Sequence, residues 1–219
     1  LNPDEAIAAG WLRKESFAGR FLRFLNRWSL KKSRSIVVLD KFMKKRIVQD
    51  YGVSEEKILA LPPWAHDNHL RPVAKEDNTF YKNHHFDRKF IVMYSGNHSP
   101  CHPLSTLLSA ALHYKNDDNM LFCFIGGGSL TQQVTAFKRS YQLDNIIQLP
   151  YQPIERLAES LSAADLHVVV MGDHFVGIVH PCKLYGILAV GKPFVFIGPK
   201  ASHIGEIIRT EKIGDQVEH

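Results

Sequence analysis

The chain has 219 residues, 45% of them hydrophobic, with no apolar run long enough to span a bilayer and no secretory leader at Leu1, which argues against a membrane-spanning or secreted protein. Its three cysteines, odd in number and without paired spacing, favour a reduced, cytoplasmic setting. The net charge of +5 is uneven, because residues 13–46 contain twelve Lys or Arg and two acids and so carry +10, while the remainder carries −5.

The first part of the chain predicts a small α/β unit, and each element has its own start or stop signal. In chain order these elements are a helix at Pro3–Trp11, a helix at Phe17–Lys32 capped by Ser16, a strand at Ser35–Leu39, a helix at Lys41–Tyr51 capped by Asp40 and ended by Gly52, and a strand at Ile58–Leu61. Residues 62–88 begin with two prolines and continue with polar residues, which is typical of an interdomain linker.

From Lys89 onward, strands and helices alternate regularly. The predicted strands are Phe90–Ser95, Met120–Ile125, Ile146–Leu149, Leu166–Val170 and Phe194–Ile197, and the predicted helices lie near Leu104–His113, Leu130–Tyr141, Ile154–Ala163, Pro181–Val190 and Ile204–Arg209. This alternation indicates right-handed βαβ units and a parallel sheet. Because the strands are solidly apolar, helices are expected on both faces of the sheet.

Three loops that follow strands are rich in glycine or in polar groups. They span residues 94–102 (Tyr-Ser-Gly-Asn-His-Ser-Pro-Cys-His), 125–129 (Ile-Gly-Gly-Gly-Ser) and 177–193. Parallel strands place their following loops at one edge of the sheet, so the three loops are expected to converge. Glycines let a ligand approach the backbone, and successive N–H groups bind anions. The pattern favours a phosphate-bearing ligand, although the glycine loop alone fits a tight turn without a ligand equally well.

The loop at 177–193 contains one short predicted helix between two aliphatic strands. Amides at a helix N-terminus attract anions such as diphosphate. We therefore expect Lys183, in the first turn, to contact that ligand rather than to be a solvated helix residue. His174 and His180 lie close enough in sequence to reach a substrate, but we interpret each as a bystander.

Other chemistries receive less support. His98 and His102 flank Cys101, but a zinc site needs three or four converging ligands and the sequence contains no second cluster, so no metal is expected. A nucleophile elbow, a phosphate-loop lysine motif and a dinucleotide fingerprint are all missing from the sequence. It also contains no recognised motif for reading nucleic acid, so no nucleic-acid partner is expected.

The segment from Trp11 to Lys32 combines a face of Phe, Leu and Trp with many cations. This composition suits binding at an anionic membrane surface. It suits equally an apolar helix face packed in a domain core with a solvated basic back. Both interpretations stay open at this point.

Ordered landmarks along most of the chain resemble those of the family 4 glycosyltransferases, which have the GT-B fold of two Rossmann-like domains. In chain order the landmarks are Ser35–Leu39 with Met43, residues 51–53 (Tyr-Gly-Val), 59–64 (Leu-Ala-Leu-Pro-Pro-Trp), 94–97 (Tyr-Ser-Gly-Asn), 124–128 (Phe-Ile-Gly-Gly-Gly), 149–153 (Leu-Pro-Tyr-Gln-Pro) and 163–166 (Ala-Ala-Asp-Leu). Residues 181–193, with Pro-x-Lys-Leu-Tyr followed by Ala-x-Gly-Lys-Pro, are similar to the branch that acts in bacterial capsule, O-antigen and exopolysaccharide synthesis.

This resemblance implies retaining transfer of a sugar from a nucleotide-diphosphate donor to a lipid-linked glycan acceptor, without a metal or other cofactor. It implies that the diphosphate lies against the first loop and the helix beginning at Pro181, that the backbone around Tyr151 holds the base, and that residues 177–179 face the transferred sugar. The expected donor-binding residues are Gly96, Asn97, His98, Gly126, Gly127, Tyr151, Gly177, Ile178, Val179, Pro181 and Lys183. No catalytic residue is assigned.

The resemblance also divides the chain. Residues 1–61 would form the C-terminal part of the N-terminal acceptor domain, 62–88 the linker, and 89–219 a donor domain truncated at its C-terminus. The sequence does not begin with Met, and we interpret it as a fragment that is inactive alone. The whole protein is expected to be cytoplasmic and peripheral at the inner face of the cell membrane.

Two departures from the family pattern affect the expected site. Many members place an Arg directly after the glycine of the first loop and a Lys five residues later, where this chain has Asn97 and His102. Many also carry a Glu-x7-Glu pair, which aligns with Ile178 and Gly186. We expect Lys183 to supply part of the lost positive charge. The missing Glu pair favours one alternative, a nucleotide-sugar binding or scaffold subunit without catalysis, and counts against another, a sugar-nucleotide epimerase of the same fold.

Overall fold

The computed structural model describes residues 3–64 and 70–219 as an α/β protein with a two-stranded and a six-stranded sheet, both parallel. We call residues 3–64 the N-terminal region and residues 70–219 the C-terminal region. Part of the predicted linker, residues 65–69, lies outside the described residues.

The N-terminal region follows the predicted element order. Its elements are α1 (Asp4–Ala8), α2 (Phe17–Lys32), β1 (Ile36–Val38), α3 (Lys41–Tyr51) and β2 (Ile58–Ala60). The predicted caps are present, because Ser16 accepts a hydrogen bond from the Gly19 amide and Asp40 accepts one from the Met43 amide. Helix α1 is shorter than predicted and is followed by a turn in which Gly10 adopts a φ of 76°. Among the described helices, none has the length and apolarity needed to cross a bilayer.

The segment from 70 to 88 differs from the expected polar linker, because it contains a helix, α4 (Thr79–Asn83), that sequence analysis missed. Phe80 of this helix is buried in a core cluster of the C-terminal region. The Val73 amide donates to Ser162 Oγ at 3.0 Å, and Asn78 Nδ2 donates to the Glu159 carbonyl at 2.8 Å. These bonds fix the segment to the C-terminal region, and the exact domain boundary stays a prediction.

The C-terminal region is a doubly covered parallel sheet with strand order β5-β4-β3-β6-β7-β8. Its strands are β3 (Phe90–Asn97), β4 (Met120–Gly127), β5 (Ile146–Leu149), β6 (Leu166–Val170), β7 (Phe194–Ile197) and β8 (Asp215–Val217), and its further helices are α5 (Ser105–His113), α6 (Thr131–Tyr141), α7 (Leu157–Ser162), α8 (Lys183–Ala189) and α9 (His203–Glu211). The expected α/β class and parallel sheet are confirmed. The edge strand β8 was not predicted.

Both faces of the sheet are buried, as the apolar strands require. On one face Val92 and Phe124 pack with residues of α5 and α6. On the other, Met93 packs with residues of α4, and Val169 packs with residues of α8 and α9. Successive residues of one strand therefore point into different cores, which is the geometry of a central parallel strand.

The strand order reverses between β3 and β6. The chain runs outward from β3 through β4 to β5 and then returns to place β6 on the other side of β3. Open α/β sheets bind ligands in the crevice at the carboxyl ends of strands that flank such a switch point. The loops after β3 and β6 are two of the three loops predicted to carry the site.

Candidate donor site

The two glycine loops lie side by side because β3 and β4 stay paired to their ends. Gly96 pairs with Gly126 and Asn97 with Gly127 in the register of the two strands. Gly126 has a φ of 126°, and a Cβ there would lie 2.1 Å from the Gly96 carbonyl oxygen. Only glycine fits this close approach. The strands extend two residues further than predicted, so the glycines end the sheet rather than form a separate turn.

Lys183 reaches the Gly96 end of this pair from α8. Its Nζ lies 3.7 Å from the centre of the Tyr94 ring, and a Cβ at Gly96 would be 2.9 Å from it. The side chain is partly exposed, but Nζ itself is buried and has no hydrogen-bond partner among the described residues. Burial lowers the pKa of Lys183 to about 7. An ammonium in this position is stabilised by the ring but lacks an anion.

His98 and His102 of the first loop lie near Lys183 as neutral imidazoles. Both are buried, and burial followed by the charge of Lys183 lowers the pKa of each to about 4. His98 Nδ1 lies 3.2 Å from Thr131 Oγ1, whereas His98 Nε2 and His102 Nδ1 are buried without a partner in the described part of the chain. A neutral imidazole can still donate one hydrogen bond to an anion. The loop therefore offers polar contacts but no second positive charge.

Tyr151 closes the glycine loop on its outer side. The Tyr151 hydroxyl donates to the Gly127 carbonyl at 3.0 Å, and a Cβ at Gly126 would lie 3.2 Å from its ring. Tyr151 nevertheless remains 59% exposed. An exposed aromatic face held beside a backbone loop is suited to stack on a flat ligand group.

The remaining predicted residues occupy different surroundings. A Cβ at Gly177 would lie 2.7 Å from the Phe42 carbonyl oxygen, so this glycine faces α3 of the N-terminal region. Ile178 is buried, and Val179 packs against the core cluster that contains Leu184. The role expected for residues 177–179 toward a sugar stays a prediction. Helix α8 begins at Lys183, after Pro181 rather than at it, and Pro181 is buried.

Two features of the site escaped sequence analysis. Tyr94, whose ring contacts the Lys183 ammonium, looks in the sequence like an ordinary strand residue. His180, interpreted as a bystander, is buried and its Nδ1 lies 2.7 Å from Asp40 Oδ2 in the N-terminal region. Sequence spacing could not join these two residues, which are 140 positions apart.

No group of three or more His, Cys, Asp or Glu side chains in the described ranges is arranged to hold a metal ion. The cluster around Cys101 does not converge, because its thiol points toward Glu5 Oε1 at 3.7 Å. His98 instead turns toward Thr131.

Comparisons with known proteins bear on this arrangement, although no family model matches the chain. "Probable glycosyltransferase WbjE" of Pseudomonas aeruginosa is 26% identical over 212 residues, which cover 97% of this chain and 52% of WbjE. "Putative colanic acid biosynthesis glycosyl transferase WcaI" of Escherichia coli K12 is 26% identical over 178 residues, 80% of this chain and 43% of WcaI. The resemblance to glycosyltransferases of polysaccharide synthesis is confirmed. The chain spans about half the length of these relatives.

Solved structures of glycosyltransferases share the fold. Anabaena Alr3699/HepE in complex with UDP and glucose superposes with a TM-score of 0.74 at 13% identity, covering 90% of this chain and 52% of HepE. WaaG, a glycosyltransferase involved in lipopolysaccharide biosynthesis, has a TM-score of 0.75 at 14% identity and covers 100% of this chain and 60% of WaaG. At such low identity the likeness establishes the fold alone, and that fold is the GT-B type.

Proposed function

We propose that the chain is the donor-binding part of a glycosyltransferase that moves a sugar, with retention, from a nucleotide-diphosphate sugar to a lipid-linked glycan acceptor. The product would be a cell-surface polysaccharide made at the cytoplasmic membrane face. The curated relatives named as glycosyltransferases support this reaction class. The name of WcaI refers to colanic acid biosynthesis, which supports a role in polysaccharide synthesis.

One observation carries the proposal: the buried Lys183 ammonium beside the paired glycine loops. A buried cation without a partner is costly, and the cost disappears when an anion arrives. Because Gly96 has no Cβ, the Lys183 ammonium can lie directly against its backbone; a Cβ there would be 2.9 Å from Nζ. A diphosphate in this position would also raise the pKa of Lys183 and keep it charged.

The rest of the donor fits the neighbouring residues. Tyr151 presents an exposed ring on which a nucleobase could stack, at the far side of the glycine loop from Lys183. The proposed donor therefore lies across the ends of β3 and β4, with its diphosphate toward Lys183. HepE has been solved with UDP-glucose, which makes UDP the first nucleotide to test.

Calorimetric titration of the full-length protein with UDP, GDP and ADP tests donor binding. We expect one nucleoside diphosphate to bind more tightly than the others, with affinity unchanged by EDTA because no metal is required in the proposal. Turnover of the matching radiolabelled nucleotide sugar then tests catalysis. Binding without turnover would point to a scaffold subunit, and failure of all three diphosphates to bind would refute the donor site.

The part of the proposal that places the protein at a membrane rests on the surface of α2. Its aromatic face is exposed to solvent, with Phe17 87%, Phe24 63% and Trp28 57% accessible. A cleft of about 320 Å³ beside this face is lined mainly by basic residues and also by two acids: Lys14, Glu15, Arg20, Arg23, Phe24, Arg27, Asp50 and Tyr51. An aromatic face beside a basic cleft matches the interface of an anionic bilayer, where rings sit among head groups and cations meet phosphates.

Two of the acids near this cleft are already paired. Arg23 lies 3.5 Å from the buried Asp4 carboxylate, and Arg46 lies 3.4 Å from Asp50. Arg20 and Arg27, one turn to either side of Arg23, have no ion pair within the described ranges. With Lys14, which also lines the cleft, they are cations available to head-group phosphates.

Sedimentation with vesicles tests membrane contact in the full-length protein. We expect binding to phosphatidylcholine vesicles that contain phosphatidylglycerol, little binding to phosphatidylcholine alone, and weakening by salt. The double variant R20Q/R27Q should bind about 30-fold more weakly, since each cation near an anionic surface contributes about 1 kcal/mol. K138Q/R139Q removes the same charge from α6 and serves as the matched control. Equal losses in both variants, or no salt-sensitive binding, would overturn the membrane contact.

A further inference from the structure

Two buried side chains, Asp40 and His180, and two half-buried ones, Tyr185 and His203, form a continuous hydrogen-bonded chain between the two regions of the molecule. Asp40 Oδ2 lies 2.7 Å from His180 Nδ1, His180 Nε2 lies 3.0 Å from the Tyr185 hydroxyl, and that hydroxyl lies 3.3 Å from His203 Nε2. The Asp40 and His180 side chains are only 3% and 1% exposed. We call these four residues the Asp40–His203 chain.

The protons of this chain can be placed from chemistry. Burial alone would raise the pKa of Asp40, but hydrogen bonds from His180 and from the Met43 amide outweigh it, so the pKa lies below its usual value. Asp40 is therefore a carboxylate that accepts from His180 Nδ1–H, and in the neutral tautomer of His180 that this bond selects, Nε2 accepts from the Tyr185 hydroxyl. Burial raises the pKa of Tyr185 to about 12, so it remains a phenol that can donate in this way. Its oxygen accepts in turn from His203 Nε2–H.

The Asp40–His203 chain surrounds the backbone turn that contains Lys183. His180 precedes Lys183 by three residues and Tyr185 follows it by two, so the bond between them closes a loop around the lysine. The two rings are stacked, with centroids 5.8 Å apart. Asp40 holds Nδ1 of His180 from the N-cap position of α3. The backbone turn that contains Lys183 is therefore tied to a residue of the N-terminal region.

A purely structural role explains this arrangement poorly. Buried polar networks are expensive, and well-packed apolar residues of similar volume are often at least as stabilising. What the network adds is a single fixed geometry, because the carboxylate selects one tautomer and one ring orientation of His180. Fixed geometry matters most for a group whose ligand contact must be aligned, and Lys183 is such a group.

We propose that Asp40 is a positioning residue that acts through His180 and Tyr185 to hold the Lys183 ammonium at Gly96, so that the N-terminal region controls the affinity for the donor diphosphate. This inference rests on the proposed function only in taking the donor as the ligand of Lys183. The Asp40–His203 chain couples the two regions, since the donor site is complete only when Asp40, at the start of α3, contacts His180.

The first test uses Tyr185→Phe, which removes the hydroxyl and retains the ring. We expect the affinity of the full-length protein for the nucleoside diphosphate identified above to fall about tenfold, the equivalent of one well-placed hydrogen bond. Asp40→Asn, which retains the shape but not the charge, should weaken binding in the same direction. Tyr141→Phe removes a hydroxyl from the exposed end of α6 and should leave affinity unchanged. Unchanged affinity in Tyr185→Phe and Asp40→Asn would overturn the proposal.

The second test needs no donor. NMR of ¹³Cε-labelled lysine can follow the titration of Lys183, assigned by its loss in Lys183→Met. The titratable groups that face it in the described residues are Tyr94, His98, His102 and His167. We expect Lys183 to titrate near pH 7 in the wild type and at clearly higher pH in Tyr185→Phe, because a released stem lets the ammonium reach water.

The two tests separate the two proposals. A shifted Lys183 titration without binding of any nucleoside diphosphate would support the positioning role and refute the donor site. A lowered melting temperature with an unshifted titration would show that the Asp40–His203 chain is only structural.

Discussion

The two regions of the molecule bury their sheets to very different extents. In the C-terminal region both faces of β3 are covered, and Phe124 of the neighbouring strand is fully buried. In the N-terminal region Val37 and Leu59 of the small sheet are 61% and 56% exposed. The aromatic face of α2 is also open. The C-terminal region therefore has a core buried on both faces of its sheet. The N-terminal region instead exposes apolar surface, which is typical of a surface that packs against another one.

The largest expected effect tests this contrast by truncating one aromatic residue in each region. Phe124→Ala should reduce the free energy of unfolding by about 4 kcal/mol, because it leaves a cavity in the C-terminal core. Phe17→Ala, at a residue with 87% exposure, should change it by less than about 0.5 kcal/mol. Urea denaturation of the full-length variants measures both. A loss above about 1 kcal/mol for Phe17→Ala would contradict the exposed aromatic face, because it would mean that another part of the protein buries it.

The second prediction compares a lysine of the C-terminal region whose ammonium is buried with a solvated lysine of the N-terminal region. Lys183→Met should weaken nucleoside diphosphate binding about 100-fold, since it removes a charged contact to phosphate in a buried setting. Lys45→Met, at an exposed position on α3, should alter affinity by less than about twofold. Calorimetry of both variants decides between a specific contact and a general effect of positive charge. Similar losses in the two variants would favour the general effect.

The contrast also explains which elements could be predicted. Strands β5, β6 and β7 have the predicted bounds, because each is a short apolar run between clear turn signals. Helix α4 was missed because its one buried face, at Phe80 and Tyr81, lies within a polar segment. Strand β8 has three residues at the sheet edge, too few to show a period.

The candidate site was predictable only where it follows from topology. The convergence of Gly96, Gly126 and Lys183 follows from the rule that parallel strands share a carboxyl edge, and the structure brings these residues together. The contact of Lys183 with the Tyr94 ring depends on the directions of the two side chains. The hydrogen bond between His180 and Asp40 depends on how α3 packs against the C-terminal region. Neither leaves a periodic signal in the sequence.

The smallest expected effect is a pH dependence that the C-terminal region should have and the N-terminal region should lack. The folded pKa of Lys183, about 7, lies below that of an unfolded lysine, so the unfolded state binds more protons above pH 7 and stability rises with pH. Between pH 7 and 8 we expect a gain of about 1 kcal/mol in the free energy of unfolding. The range ends there because burial raises the pKa of the Cys123 thiol to about 12, which opposes the gain at higher pH. Lys183→Met should remove this contribution and leave only the smaller gain from the buried His98, His102 and His167, whose pKa burial lowers to about 4. Lys45→Met should retain the full gain, so an equal slope in both variants would show that Lys183 is solvated in the folded protein.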